Sequence, residues 1–196
     1  MTPSCPDIGC DLLVIGSGIA GMAASLFAAR RGIDTIQVGM TGEINFASGV
    51  LDLLGVHPVG SHQPWDNPWE AIERLIRDEP RHPYARIGAA TIRQSMEDFI
   101  GFLNAAQMPY RFNPSKNTRI LTPLGTLKTT YAVPETMAAM EPAWTQKTAC
   151  LLVDFPGLKG FSARQIKATL QPHWPDLQAV RLPFPGLHGE LQTGKG

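Results

Sequence analysis

Six consecutive residues, Gly16-Ser17-Gly18-Ile19-Ala20-Gly21, form the pattern in this chain that most directly encodes a chemistry. In a G-x-G-x-x-G run each glycine has a mechanical task. Gly16 makes a tight turn, Gly18 lets the backbone approach a pyrophosphate, and Gly21 lets the next helix pack close to the preceding strand. The amides at the helix start then face the phosphates, with the positive end of the helix dipole behind them. Ser25, four residues past Gly21, is small and keeps that close packing possible. The usual acidic partner for ribose hydroxyls, about 20 residues beyond the glycines, is missing. Its place is taken by Val38-Gly39-Met40, and Glu43 is the nearest acid further on. Three explanations stand open: Glu43 reaches back, the ribose is held differently, or the ligand has no adenosine half.

Other chemistry-bearing residues are sparser. Ser48 and Gly49 sit in a small-residue loop after the second strand, at the sheet edge where a ligand crevice is expected, though an ordinary surface turn fits the same residues. Arg119 and Lys128 should lie near one another across a hairpin, able to hold an anion or simply be solvated. His57, His62, His82, His173 and His188 are scattered, mostly beside Pro or Gly, and are expected at the surface. No Ser/His/Asp order or His-x-x-x-His pair occurs, so no catalytic residue can be named and no metal site is expected.

The elements that must position the glycines are legible around them. Asp11–Ile15 reads as a buried strand, Met22–Arg31 as a helix closed by Gly32, and Thr35–Val38 as a second strand. Asn67-Pro68-Trp69-Glu70 has a cap residue, proline at N1 and an acid at N3, starting a helix that runs to about Asp78. A rigid connector, Pro80–Tyr84, precedes a longer helix, Ala89–Ala106, whose stripe Ile92, Met96, Phe99 and Leu103 should face the core. Arg119–Thr122 and Leu127–Tyr131 flank a turn with Pro123 at i+1 and Gly125 at i+3. Pro134–Gln146 reads as mobile. Cys150–Phe155, a helix opened by the S-x-x-Q box at Ser162, and Gln178–Leu182 then repeat strand, helix, strand.

Composition narrows the function further. With 17 Lys+Arg against 17 Asp+Glu the formal net charge is 0, which supplies no field for nucleic acid or anionic lipid. Cys5, Cys10 and Cys150 make an odd set without C-x-x-C spacing, so reduced thiols in a cytoplasmic protein are expected. The stretch Ile15–Ala29 is shorter than the about 20 residues of a membrane span, and no secretory leader is evident.

Several segments carry a more specific resemblance. Phe46–Leu54, His82-Pro83-Tyr84, Leu121–Thr130 with its T-P-L-G-T-L core, and Gly157-Leu158-Lys159-Gly160-Phe161 are similar, in order and approximate spacing, to the B subunit of anaerobic glycerol-3-phosphate dehydrogenase. The resemblance runs from the first strand to about Leu182. It implies a flavoprotein subunit of a complex that oxidises sn-glycerol 3-phosphate to dihydroxyacetone phosphate and passes electrons to a quinone, with fumarate or nitrate as terminal acceptor. It implies two partners, a larger flavoprotein A subunit and an iron–sulfur C subunit that anchors the complex to the inner membrane. The family's flavin is FMN, whereas the usual ligand of the glycine motif is the pyrophosphate of FAD; both forms are carried forward.

The expected fold is α/β, a Rossmann-like FAD/NAD(P)-binding fold with a parallel central sheet and an inserted helical and β-hairpin region. Residues 1–60 would hold the first βαβ unit, 61–146 the insertion and 147–196 a second βαβ-like unit. Family members are considerably longer, so the 196 residues are expected to be one incomplete flavin-binding domain, the N-terminal part of a longer chain. Cofactor-binding candidates are Gly16, Ser17, Gly18, Ile19, Ala20, Gly21, Ser48 and Gly49.

Overall fold

The four apolar residues before the glycine turn form strand β1 (Leu12–Ile15), and the turn leads straight into helix α1 (Ile19–Ala29). The computed structural model describes residues 8–40 and 48–185 and divides into two units at Gly49/Val50. Cys5, Glu43, Ile44–Ala47 and His188 lie outside the described residues. In the first unit α1 ends through Ile33 N–H donating to Ala28 O at 3.1 Å, with Gly32 at φ +72° making the reversal. Strand β2 (Thr35–Val38) then pairs parallel to β1, Leu12 opposite Thr35 and Ile15 opposite Val38.

This β1–α1–β2 order matches the expectation, but the burial does not. Leu13 is 52% and Ile15 82% exposed, and Ala28 is the buried hydrophobic of α1. The reason is topological: among the described residues β1 pairs with β2 alone, so nothing covers its far edge.

The second unit carries most of the core. Helix α2 (Pro68–Asp78) starts as its cap signals require: Asn67 Oδ1 accepts from Trp69 N–H at 3.0 Å and Asn67 Nδ2 donates to Glu70 at 2.8 Å. Helices α3 (Pro83–Ile87) and α4 (Ala89–Ala105) follow. Ile92, Phe99, Ile100 and Leu103 of α4 are buried, whereas Met96 is half-buried. Strand β3 (Tyr110–Phe112) pairs antiparallel with β6 (Ala132–Pro134), and β4 (Thr118–Leu121) with β5 (Leu127–Thr130) across the turn closed by Gly125 N–H to Thr122 O at 3.0 Å. Helix α5 (Met140–Gln146) precedes the unit β7 (Cys150–Asp154), α6 (Ala163–Leu170) and β8 (Leu177–Arg181), whose strands are parallel. Ile166, Leu170, Trp174 and Leu177 form the core of this last part.

Four expectations are corrected here. Pro134–Gln146 is ordered, because β3 captures β6 and Glu141 anchors α5 by accepting from the Arg119 backbone N–H at 3.0 Å. The connector expected over Pro80–Tyr84 ends at Pro83, where α3 begins, and His82 has the structural role of capping it, its Nδ1 accepting from Tyr84 N–H at 3.1 Å. His57 is buried, 7% exposed, with Nε2 3.0 Å from Asp78 Oδ2. Hydrogen bonds from Arg74 and His57 hold the Asp78 carboxyl below its ordinary pKa. Finally, Arg119 is opposite Thr129 and Lys128 opposite Ile120, so the two cations leave opposite faces of the hairpin. Arg119 pairs with Glu141 and Lys128 with Asp52.

Candidate functional site

The glycine turn is held by β2 as much as by its own residues. Gly16 adopts φ +123°, a backbone state few side chains tolerate, and its N–H donates to Val38 O at 2.7 Å. Its carbonyl accepts from Gln37 Nε2 at 2.8 Å. The same carbonyl sits against α1: a Cβ added at Gly21 would lie 2.2 Å from Gly16 O. Gly21 therefore is what permits the helix to meet the strand this closely.

Gly18 shows the opposite environment. It is the N-cap of α1 with φ −72° and ψ 175°, and a Cβ there would meet no protein atom within 4 Å. The glycine is thus not needed for packing; it leaves a space open in front of the helix start. Gly18 offers that helix no side-chain cap and no acid lies in its first turn, so the N-cap residue itself does not compete with an anion for the first amides.

One residue escaped the motif reading, Gln37, and Gly39, already marked as the place without an acid, gains a structural reason. Gln37 is the polar residue inside an otherwise apolar strand end, a signal that could have pointed to it. Gly39 stands where the motif normally has its ribose acid. A Cβ there would be 2.1 Å from Ser17 Oγ and 2.7 Å from Ser17 N. The acid is absent because the turn itself occupies its place. Ser48 is exposed and Gly49 half-buried at φ +77°, closing the first unit beyond residues that are not described. Gly16–Gly21, Gln37 and Gly39 thus come together in one cradle.

A bound pyrophosphate needs close backbone approach, donor amides and room, and this cradle has all three. The family model described as an FAD binding domain matches residues 11–178. The chain belongs to this FAD-binding family. Its α/β Rossmann-like class follows, in agreement with the parallel strand pairs. The match names FAD and gives FMN no support.

Among curated relatives, this FAD-binding chain is 35% identical over 123 residues to the B subunit of anaerobic glycerol-3-phosphate dehydrogenase from Vibrio cholerae, covering 62% of the chain and 28% of that protein. It is 34% identical over 188 residues to the probable B subunit of the same dehydrogenase from Halobacterium salinarum, covering 94% and 41%. For the B subunit from Aliivibrio fischeri the values are 28% over 167 residues, 82% and 36%. The chain spans between 28% and 41% of the length of these relatives. No solved structure matches it. Among the described residues there is no cluster able to hold a metal ion, and no helix is long and apolar enough to cross a membrane.

Proposed function

We propose that the turn Gly16–Gly21 holds the pyrophosphate of FAD, and that the chain acts as a flavoprotein subunit of a quinone-linked anaerobic sn-glycerol-3-phosphate dehydrogenase. In this reading the backbone at Gly16, Ser17 and Gly18 turns around the phosphates, the amides of Ile19, Ala20 and Gly21 bind them, and Ser48 and Gly49 lie toward the ring. When bound, the flavin supplies the two-electron chemistry that takes glycerol 3-phosphate to dihydroxyacetone phosphate, with fumarate or nitrate as final acceptor. An A subunit and an iron–sulfur C subunit complete the complex, and the C subunit brings it to the inner membrane.

The observation that carries the reading is the contrast between Gly21, which packing demands, and Gly18, which packing does not. A glycine kept open in front of an uncapped helix serves a ligand. The test is Gly18→Val in the 196-residue chain, with FAD titrated and followed by flavin fluorescence. Two or more lost phosphate contacts, each charge-assisted, predict a loss of affinity of about 100-fold or more, with an unchanged circular dichroism spectrum. Retention of stoichiometric flavin by the variant overturns the assignment. Heat release and chromatography of any cofactor purified with the chain identifies it as FAD or FMN, with FAD expected.

A second reading is favoured by one feature: no residue of the turn is an acid or a base. The chain would then carry a flavin and dock its partners while substrate is oxidised on the A subunit. Photoreduction of the isolated flavin-loaded chain, followed by addition of dihydroxyacetone phosphate, separates the two. Reoxidation by that product alone supports the first reading, and inertness toward it supports the second.

A further inference from the structure

We propose that the β7–α6–β8 unit carries a separate binding site for a small monophosphate that also bears a hydroxyl group. A pocket of about 380 Å³ opens there, lined by Asp154, Ser162, Arg164, Lys167 and Arg181 among others. That volume lies near the lower end of small-molecule sites, about 300–1,000 Å³, and suits a compact ligand rather than a dinucleotide. Asp154 and Arg181 are the last residues of β7 and β8 and are paired in register, so both stand at the carboxyl end of the parallel pair. Ligands of open α/β sheets bind at that end.

The decisive atom is Asp154 Oδ1. The Asp154 side chain is only 4% exposed, and its Oδ2 accepts from Arg181 Nη2 at 3.0 Å. Its Oδ1 is buried with no hydrogen-bond partner among the described residues. A buried carboxylate oxygen without a donor is costly. A carboxylate only accepts, so the missing partner must donate, and a carbon-borne hydroxyl does so while the phosphate itself stays with the cations.

The surrounding charge selects the rest of the ligand. Arg164, Lys167 and Arg181 are three cations against one carboxylate, Asp154, an excess of two that matches a dianionic phosphate. Lys167 Nζ is steadied by Gln178 Oε1 at 3.1 Å, and the Arg181 side chain is 61% exposed with further donors to offer. The start of α6 faces the same pocket through Ser162, Ala163 and Arg164, adding the positive end of the helix dipole. The ligand therefore places its phosphate against Arg164 and the helix start and its hydroxyl against Asp154. The site uses residues of the second unit alone and does not depend on the flavin assignment. Glycerol 3-phosphate, the substrate in the reading above, has the required chemistry and serves as the probe.

The test is calorimetric titration of the 196-residue chain with sn-glycerol 3-phosphate, inorganic phosphate and glycerol. Glycerol 3-phosphate should bind at one site at least about tenfold more tightly than inorganic phosphate, as one extra hydrogen bond to a charged group predicts, and glycerol should not bind. Arg164→Gln should weaken both phosphates about tenfold or more. Asp154→Asn should erase the advantage of glycerol 3-phosphate over inorganic phosphate. Gly18→Val separates this site from the first unit's cradle and should leave it intact. Equal affinity for both phosphates, no saturable binding, or binding indifferent to Arg164→Gln overturns the proposal. Should Asp154→Asn lose its native circular dichroism spectrum, Arg164→Gln and Lys167→Gln decide the matter. Flavin content, read by absorbance on the same samples, reports the other assignment independently.

Discussion

The two parallel βαβ units of this chain share a topology and are built in opposite ways. In β1–α1–β2 the strand reaches its helix through Gly16–Gly18, the helix has no side-chain cap, and Leu13 and Ile15 stand open. In β7–α6–β8 the connection runs from Phe155 to Ser162, Ser162 Oγ caps the helix by accepting from Gln165 N–H at 3.3 Å, and Ile166, Leu170, Trp174 and Leu177 close a core. The exposure of Leu13 and Ile15 comes from the pairing of β1 with β2 alone among the described residues, whereas the difference at the helix starts follows from what each would hold. A backbone cradle requires side chains to be absent, as at Gly16, Gly18, Gly21 and Gly39, and sacrifices local stability. A site made of side chains, such as Asp154 and Arg181, needs a firm frame to aim them.

The strongest way to break this contrast is Gly21→Val. A Cβ 2.2 Å from Gly16 O cannot be accommodated without moving strand from helix. The variant should lose FAD binding as completely as Gly18→Val and, unlike it, also lose native structure in the first unit. Hydrogen exchange should show the amides of β1 and α1 unprotected while those of β7 and β8 keep their protection. If both variants fold equally well, the distinction between a packing glycine and a ligand glycine fails.

Next in size is Trp174→Ala. The indole is buried, its Nε1 donates to Thr148 O at 2.8 Å, and it meets Trp144 edge-on at 5.8 Å. Its removal should cost about 3–5 kcal/mol, measured by urea unfolding, and should leave FAD affinity in the first unit unchanged wherever the chain is still folded. No comparable substitution exists in α1, where Ala28 is the buried hydrophobic.

These contrasts also show which parts were legible in the residues alone. Signals confined to a few neighbours read correctly: Asn67 and Ser162 as caps, Pro123 and Gly125 as a turn, the glycine run as a strand-to-helix connection. Signals that need a distant partner did not. His57 is buried because Asp78, 21 residues on, receives it, and β6 is a strand because Tyr110–Phe112 lies beside it. Arg119 and Lys128 part for the same reason, since the strand register decides which face each cation leaves. In the candidate site the glycines were readable from type and spacing. The exclusion of an acid at Gly39 was not, because it depends on where Ser17 lies in space.

The finest test exchanges the two helix starts. Ser162→Ala removes a cap and should destabilise the second unit by about 1 kcal/mol. Gly18→Ser should do the reverse in the first unit. Its backbone, at φ −72° and ψ 175°, suits any residue, and no protein atom lies within 4 Å of the added Cβ. Serine is a better cap than glycine by a few tenths of a kcal/mol, roughly the measured preference, so hydrogen exchange in α1 should slow. FAD affinity should fall at the same time, because the new side chain fills the space that the phosphates need and its oxygen takes a helix amide from them. Stability and binding would then move in opposite directions at one residue. A Gly18→Ser variant that gained both would show that the open space in front of α1 belongs to the apo fold and not to a ligand.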